Sequence, residues 1–181
     1  MRKLAVCGEN GKQYPVFLGW DLLERDDWLE EIKFPSSFGV IVTNSRVGSL
    51  YEERVSSFFS RQGFTIQVVT IPDGEEYKNL STVEFIYKQL LNLDLDRKSF
   101  LLALGGGVIT DITGFVASTF LRGIPYFSIP TTVLAQVDSS IGGKTGVNLP
   151  QGKNLVGTFY PPAGVFIDLS FLRTLPPREY K

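Results

Sequence analysis

The sequence has 181 residues, a formal net charge of −1, 43% hydrophobic residues and 20% charged residues, which is typical of a globular domain with a sizeable core. This charge balance provides no basic field for nucleic acid or anionic lipid, so we expect neither a nucleic-acid nor a membrane partner. The chain contains no histidine, which excludes an imidazole base and a histidine-containing zinc site built from this chain alone. Its one cysteine, Cys7, excludes an intramolecular disulfide and fits a reducing, cytoplasmic location.

The first predicted element is a β-hairpin. The strands KLAVCG and YPVFLG flank ENGK, in which Asn10–Gly11 is a strong tight-turn signal. The apolar run FGVIVT predicts a buried strand, and Asn44 or Ser45 is the expected N-cap of an amphipathic helix over residues 46–61, ending at Gly63.

The next strand is FTIQVVTI, and a helix follows it. Ser81 and Glu84 match a capping box, which predicts that Ser81 is the N-cap of a helix ending near Leu91. SFLLAL is a further strand, which turns at three consecutive glycines into a helix over residues 108–121 ended by Gly123.

The last part of the chain contains the strand YFSIP, a polar segment over residues 129–154 read as a loop, and one more apolar strand with a helical turn in GVFIDLSFLRT. Strands that alternate with helices at this spacing predict a Rossmann-like α/β fold: an open, mostly parallel sheet with flanking helices and an N-terminal hairpin, in a single domain over residues 1–181.

The segment LLALGGGVITD predicts an anion site. A strand that turns through glycines into a helix presents free backbone N–H groups and the positive end of the helix dipole. The dinucleotide pattern G-x-G-x-x-G is nearly met by Gly105 and Gly107, but its third glycine is replaced by Thr110. A tight turn without a ligand is the alternative. Asp111 could hydrogen-bond a ribose or an amide.

The segment IPDGEEYKNL leaves another strand at the same edge of the predicted sheet. Glu75 could accept hydrogen bonds from ribose hydroxyls, and Lys78 could face a phosphate. Pro72-Asp73-Gly74 is a turn signature, so a plain surface loop with solvated charges is the alternative.

The segment IPTTVLAQVDSSIGGKTGVNLPQGKN contains a GKT that is not a P-loop. The position five residues before Gly143 is Asp138 rather than glycine, and Gly146, Pro150 and Gly152 interrupt any following helix. The segment is instead rich in groups suited to a small polyanion, with a flexible polar loop as the alternative. These groups are Thr131, Thr132, Asp138, Ser139, Ser140, Lys144, Lys153 and Asn154, with Arg122 closing the preceding helix.

Taken together, PDGEEYK, GGGVITDITGFVASTFLRG, IPTTVLAQVDSSIGGKTGVN, GKNLVGTFYPP and DLSFLRTLPPRE resemble the 3-dehydroquinate synthase family. The resemblance implies an N-terminal NAD-binding domain and a helical C-terminal domain with a divalent metal, zinc or cobalt. It also implies the conversion of 3-deoxy-arabino-heptulosonate 7-phosphate to 3-dehydroquinate and phosphate in the shikimate pathway, with transient oxidation by NAD, loss of phosphate, reduction and an aldol closure.

The resemblance also implies the site residues. Those on the substrate side, with catalytic or positioning roles, are Asp138, Lys144, Asn154 and Arg122. Those on the NAD side are Asn44, Asp73, Gly74, Glu75, Lys78, Gly106, Gly107, Val108, Asp111, Thr131, Thr132, Lys144, Lys153, Phe171 and Thr174.

No metal ligand is assigned in this chain, because the ligands of the family lie beyond the position that corresponds to Lys181. We therefore expect the nucleotide-binding half of a two-domain enzyme, a homodimer, and no complete reaction by this half alone. The alternatives are another sugar-phosphate cyclase, such as a 2-deoxy-scyllo-inosose or aminodehydroquinate synthase, a metal-dependent glycerol or alcohol dehydrogenase, and a non-catalytic NAD-binding or dimerisation module.

Overall fold

The computed structural model describes residues 1–8, 11 and 13–180. Their α-helices are α1 (Ser45–Arg61), α2 (Leu80–Asn92) and α3 (Gly107–Thr119). Their strands are β1 (Arg2–Cys7), β2 (Gln13–Gly19), β3 (Phe38–Asn44), β4 (Thr65–Ile71), β5 (Phe100–Gly105), β6 (Tyr126–Pro130), β7 (Lys144–Leu149), β8 (Gly152–Phe159) and β9 (Gly164–Asp168).

Seven of these strands form one sheet in the order β1-β2-β9-β6-β5-β3-β4. Within the described residues, every neighbouring pair in this sheet is parallel except β1 with β2. β7 and β8 form a separate antiparallel hairpin. The predicted open, mostly parallel α/β sheet with an N-terminal hairpin is therefore confirmed.

The sheet is buried on both faces, as the uninterrupted apolar character of its central strands requires. In β3, Val40 and Val42 face the core under α2 and α3, whereas Ile41 faces the core under α1. The α1 side is rich in aromatic residues, and burial of side chains such as Phe58 and Phe59 contributes about 1.5–3 kcal/mol each.

The N-terminal hairpin pairs Cys7 with Gln13 at its closed end. Gly11 has φ +75°, and its N–H lies 2.9 Å from the Gly8 carbonyl oxygen. The other half of the predicted Asn10–Gly11 turn, Asn10, lies outside the described residues.

The predicted capping box at Ser81 and Glu84 is wrong. Asn79 is the N-cap of α2, with its side-chain oxygen 2.9 Å from the Thr82 nitrogen, while Glu84 forms an ion pair with Lys88. Asn79 was not among the predicted caps. It also makes an isolated parallel bridge with Asn148, a residue distant in sequence. This bridge fixes the chain just before Leu80, so the helix begins there. At α1, in contrast, one of the two predicted caps, Asn44 or Ser45, is confirmed: the N-cap is Asn44.

The prediction of a loop over residues 129–154 is also wrong. The segment contains a π-helical turn (Ala135–Ser139) and the strand β7, which begins at Lys144. The chain after the GKT therefore continues as a strand. This agrees with the exclusion of a P-loop, which requires a helix at that point.

The predicted helix over 108–121 ends earlier, at Thr119, and continues as a 3-10 turn (Phe120–Arg122). Leu121 and Arg122 have φ of +50° and +68°, and Gly123 has φ +116°, so the chain reverses within the last predicted turn. No helix in the described part of the chain has the length and apolar character needed to cross a membrane.

Candidate active site

The candidate site lies along the edge of the sheet where the parallel strands end. α1 and α3 leave neighbouring strands β3 and β5 and pack on opposite faces of the sheet. The strand order therefore reverses between β3 and β5, and the loops after them open a crevice. Ligands of open α/β sheets collect in crevices of this kind.

A first cavity of about 190 Å3 occupies this crevice. Its lining comes from the ends of five strands of the sheet: β3, β4, β5, β6 and β9. The predicted residues that line it are Asn44, Asp73, Gly106, Gly107, Val108, Thr131, Thr132 and Thr174.

The glycine turn forms one wall of the first cavity. Gly106 is the N-cap of α3 and supplies no side chain to the free N–H groups of the first helical turn. A Cβ at Gly106 would lie 3.1 Å from the Thr132 Cγ2, so only glycine leaves the space beside the helix start open. Free N–H groups and the helix dipole make this wall a seat for a phosphate or diphosphate.

The opposite wall is rigid because its polar groups are hydrogen-bonded to each other and to the start of α1. The Asn44 side-chain oxygen accepts a hydrogen bond of 2.8 Å from the Val47 N–H and caps α1. The Asn44 Nδ2 donates to the Asp73 Oδ1 at 2.7 Å. This bond joins the ends of β3 and β4 and leaves the second Asp73 carboxylate oxygen as an acceptor for ligand hydroxyls.

A second cavity of about 460 Å3 lies beyond the start of α3. Besides Ser139 of the predicted polyanion-binding segment, four residues that the family resemblance assigns to the site line it, namely Asp111, Asp138, Lys144 and Asn154. They come from three different elements: α3, the π-helical turn and the β7–β8 hairpin. The cavity thus combines two carboxylates, one ammonium group and one amide. This set of groups can hold a polyhydroxylated anion.

Lys78 lies at the side of this cavity and is 4% exposed. Its Nζ donates to the Asp111 Oδ2 at 2.5 Å and to the Asn154 Oδ1 at 2.6 Å. Asn154 has φ +54°, so the lysine also fixes a residue whose backbone adopts the left-handed conformation. Lys78 was predicted to face a phosphate; in the structure it holds two other predicted site residues together.

The pKa of the Asp111 carboxyl is raised above its ordinary value. Burial is the main cause, since it penalises the charged form. Lys78 opposes it, while the negative charges of Glu75 and Asp138 add to it.

The β7–β8 hairpin is held against α3 at very short range. A Cβ at Gly114 of α3 would lie within contact distance of the Thr145 Cγ2 and 3.0 Å from the Tyr126 hydroxyl. The Thr145 hydroxyl bonds the Thr158 Oγ1 at 2.8 Å, and Thr158 donates to the Ser118 Oγ at 2.8 Å. This packing places Lys144, the first residue of β7, at the mouth of the second cavity.

The remaining predicted residues lie outside the linings of both cavities. Lys153 is exposed and pairs with Glu75 at 3.7 Å, and Glu75 also accepts from the Asn148 Nδ2 at 2.8 Å. Gly74 precedes Glu75 with φ +136°. These residues lie at the same sheet edge but beside the cavities.

Two predicted residues lie farther away. Phe171 is 1% exposed and packs against Tyr51 in the core. The same segment reaches the first cavity through Thr174 and the residues after it, Leu175 and Pro176. Arg122 lies at the opposite end of α3 from the glycine turn.

Several lining residues were not predicted. Arg46, Leu50 and Tyr51 of α1 line the first cavity, and Leu155 and Phe159 of β8 line the second. The α1 residues have a sequence signal, because they follow a strand end and its N-cap directly. The β8 residues have none, because a hairpin position facing a cavity depends on how the hairpin packs.

The described residues contain no group of three or more histidine, cysteine, aspartate or glutamate side chains that could hold a metal ion. The donor set therefore does not fit a resident divalent metal held by this part of the chain alone. It does fit a dinucleotide, because a glycine-lined helix start is flanked by carboxylate and hydroxyl groups.

Comparison with known proteins gives consistent results. A family model described as 3-dehydroquinate synthase N-terminal matches residues 68–181. The 3-dehydroquinate synthase of Geobacter sp. (strain M21) is 50% identical over 169 residues, which cover 93% of this chain and 47% of that protein. The chain thus spans about half the length of the curated relatives that it matches.

Two solved structures are similar over almost the whole chain. The structure of 2-deoxy-scyllo-inosose synthase complexed with carbaglucose-6-phosphate, NAD+ and Co2+ has a TM-score of 0.89 and 30% identity, covering 98% of this chain and 49% of that one. The structure of 2-epi-5-epi-valiolone synthase from Streptomyces hygroscopicus subsp. jinggangensis 5008, with NAD+ and Zn2+ bound, has a TM-score of 0.82 and 34% identity, covering 92% and 46%.

Proposed function

Since the chain belongs to the 3-dehydroquinate synthase family, we propose that it supplies the NAD site and part of the substrate site of a 3-dehydroquinate synthase. The observation that carries this proposal is that two cavities lie side by side at the start of α3, where a Cβ built on Gly107 of the first would lie 3.5 Å from the Ser139 Oγ of the second. Gly106 and Gly107 line the first cavity, and Asp138 and Lys144 line the second. One long ligand at the helix start can therefore reach a small polar ligand beside it.

The first cavity would hold the adenosine and diphosphate parts of NAD. The backbone N–H groups at Gly107 and Val108 would bind the diphosphate, and Asp73 would accept ribose hydroxyls. Bound NAD supplies a hydride acceptor that is regenerated within the same turnover. The residues of this chain would hold NAD at the start of α3, beside the second cavity.

The second cavity would hold the sugar phosphate, 3-deoxy-arabino-heptulosonate 7-phosphate. Lys144 supplies a cation for phosphate or oxyanion charge, which is most effective in a cleft that excludes water. Asp138 accepts from a substrate hydroxyl, and Asn154, fixed by Lys78, can donate and accept through its amide. These groups orient the substrate, and none of them is assigned as the base.

A divalent metal would need ligands other than the described residues of this chain. The two cyclase structures contain Co2+ or Zn2+ together with NAD+, and this supports the proposal that the complete enzyme holds a metal beside the same site. We also propose a homodimer and a cytoplasmic location, on the family resemblance alone.

The second candidate function is that of another sugar-phosphate cyclase, such as 2-deoxy-scyllo-inosose synthase. The structural similarity of the 2-deoxy-scyllo-inosose synthase structure over 98% of the chain favours it. The higher sequence identity, 50% against 30%, favours 3-dehydroquinate synthase. A non-catalytic NAD-binding or dimerisation module is compatible with the first cavity but leaves the polar groups of the second unexplained.

The proposed NAD site can be tested by calorimetric titration of the chain with NAD. The variant Gly106→Val would place a branched side chain against Thr132 and fill the space at the helix start. We expect NAD binding at least about tenfold weaker, equal to about 1.4 kcal/mol.

The matched control is Gly152→Ala, because the atoms nearest to a Cβ there belong to the Leu155 side chain, the closest at 3.2 Å. The unfolding midpoint of each variant is measured in parallel. Absence of NAD binding by the unmodified chain, or unchanged binding by a folded Gly106→Val variant, would refute the proposed site.

A further inference from the structure

Thr110, which is buried, and Ser139, which is half-buried, form a hydroxyl pair that the proposed function does not use. Thr110 is 2% exposed and stands where the dinucleotide pattern has its third glycine. Its Oγ1 lies 3.0 Å from the Gly107 carbonyl oxygen and 3.0 Å from the Ser139 Oγ. The threonine therefore connects the glycine turn at the start of α3 to the π-helical turn.

The hydrogen atoms of this pair allow two arrangements. A threonine hydroxyl has one hydrogen, so Thr110 donates either to the Gly107 carbonyl or to Ser139. When it donates to Gly107, Ser139 must donate to Thr110 to keep the hydroxyl–hydroxyl bond. When Thr110 donates to Ser139, the Ser139 hydrogen is released and can be donated to a ligand.

Ser139 lies on the boundary of the two cavities. It lines the second cavity, and its Oγ is 3.5 Å from the position of a Cβ built on Gly107, which lines the first. The π-helical turn that ends at Ser139 also carries Asp138. Single π-helical turns are frequent at functional sites, where they shift side chains out of helical register.

We propose that the Ser139 hydroxyl hydrogen-bonds the nicotinamide half of a bound NAD, and that Thr110 is the positioning residue that holds it there. This inference rests on the proposed function. A dinucleotide with its diphosphate at the start of α3 would reach the second cavity close to Ser139, whose Oγ lies 3.5 Å from a Cβ built on Gly107. The contact aims the reactive ring at the groups around Asp138 and Lys144.

The experiment compares two ligands that share every group except the nicotinamide: NAD and ADP-ribose. Calorimetric dissociation constants are measured for the unmodified chain and for Ser139→Ala, Thr110→Val and Thr110→Ser. We expect NAD to bind about three- to tenfold more weakly to Ser139→Ala and Thr110→Val, which is the effect of one lost hydrogen bond. ADP-ribose should bind equally well to all of them, and Thr110→Ser should retain the normal affinity for NAD.

Thr119→Val is the matched control, because Thr119 lies on the same helix and its hydroxyl donates to the Phe115 carbonyl oxygen at 2.7 Å, away from both cavities. It should change neither dissociation constant. If Thr110→Val does not fold, Ser139→Ala still tests the contact, because Ser139 is only half-buried.

The measurements distinguish a missing Ser139–nicotinamide contact from a missing NAD site. Equal weakening of NAD and ADP-ribose, or unchanged NAD binding by Ser139→Ala, overturns the inference and leaves the proposed NAD site standing. An unmodified chain that binds neither ligand overturns the proposed site and the inference with it.

Discussion

Lys78 connects residues of the candidate site that come from different elements. It is 4% exposed, and its ammonium group has two oxygen partners, Asp111 and Asn154. A buried ammonium without such partners would carry a large desolvation cost. Through these two hydrogen bonds the lysine fixes one side chain from α3 and another from β8 at the same cavity.

The Asp111–Lys78 pair leads to a prediction on pH. Because burial raises the folded-state pKa of Asp111 above its ordinary value of about 3.9, the folded state holds its proton more tightly than the unfolded state. The contribution of Asp111 to stability is therefore fully present below the ordinary pKa and is lost as the pH rises through the folded-state pKa.

The variant Asp111→Asn removes this titration and keeps an oxygen for Lys78. We expect the free energy of unfolding of the wild type to fall relative to that of Asp111→Asn between pH 4 and pH 7, measured by denaturant unfolding. A relative rise would mean that the ion pair with Lys78 outweighs burial.

At the scale of elements, the β7–β8 hairpin depends on two glycines that face each other. Gly146 and Gly157 are paired across the strands. A Cβ at Gly146 would lie 2.6 Å from the Val156 carbonyl oxygen, and one at Gly157 would lie well inside contact distance of the Thr145 carbonyl oxygen. Only glycine allows the two backbones to approach this closely.

We therefore expect Gly157→Ala to force the strands apart and to destabilise the fold by about 1–3 kcal/mol, the usual cost of overpacking. The same change should weaken any ligand bound beside Lys144, which is paired with Phe159 at the end of this ladder. Denaturant unfolding measures the first effect.

Gly152→Ala in the same strand is the control and should be close to neutral, because the three atoms nearest to its Cβ all belong to the exposed Leu155 side chain. Equal stability of the two variants would show that the close approach of the strands is not required.

At the scale of the whole molecule, five strand ends and one hairpin converge at a single edge of the sheet. The polar residues of this edge are far apart in sequence, from Asn44 to Thr174. The described residues at this edge supply anion-binding and hydroxyl-binding groups but no metal-binding cluster.

Because the described residues supply these groups but no metal-binding cluster, we predict that the 181-residue chain binds NAD without completing the reaction. Phosphate release from 3-deoxy-arabino-heptulosonate 7-phosphate, measured with NAD and Zn2+ present, should stay at background. The 3-dehydroquinate synthase of Geobacter sp. (strain M21) serves as the positive control. Turnover by the chain at an ordinary enzymatic rate, on the order of 10 s−1, would contradict the prediction.

The sequence by itself determined the parts of this protein that depend on local physics. Apolar runs alternating with amphipathic segments predicted the parallel sheet and its helices, and Asn44 was one of the two predicted caps of α1. Three consecutive glycines, the first of which ends β5, predicted the helix start that lines the first cavity. Each of these signals acts over a few residues, through backbone conformation or hydrogen bonding within one turn.

Only the tertiary structure decided the features that depend on contacts between distant segments. The choice of Asn79 over Ser81 as a cap follows from a bridge to Asn148. The folding of residues 144–159 as a hairpin follows from its packing on Gly114. The partners of Lys78 lie 33 and 76 residues away. Local propensity cannot fix such pairings, because their free energy comes from groups that meet only when the sheet has formed.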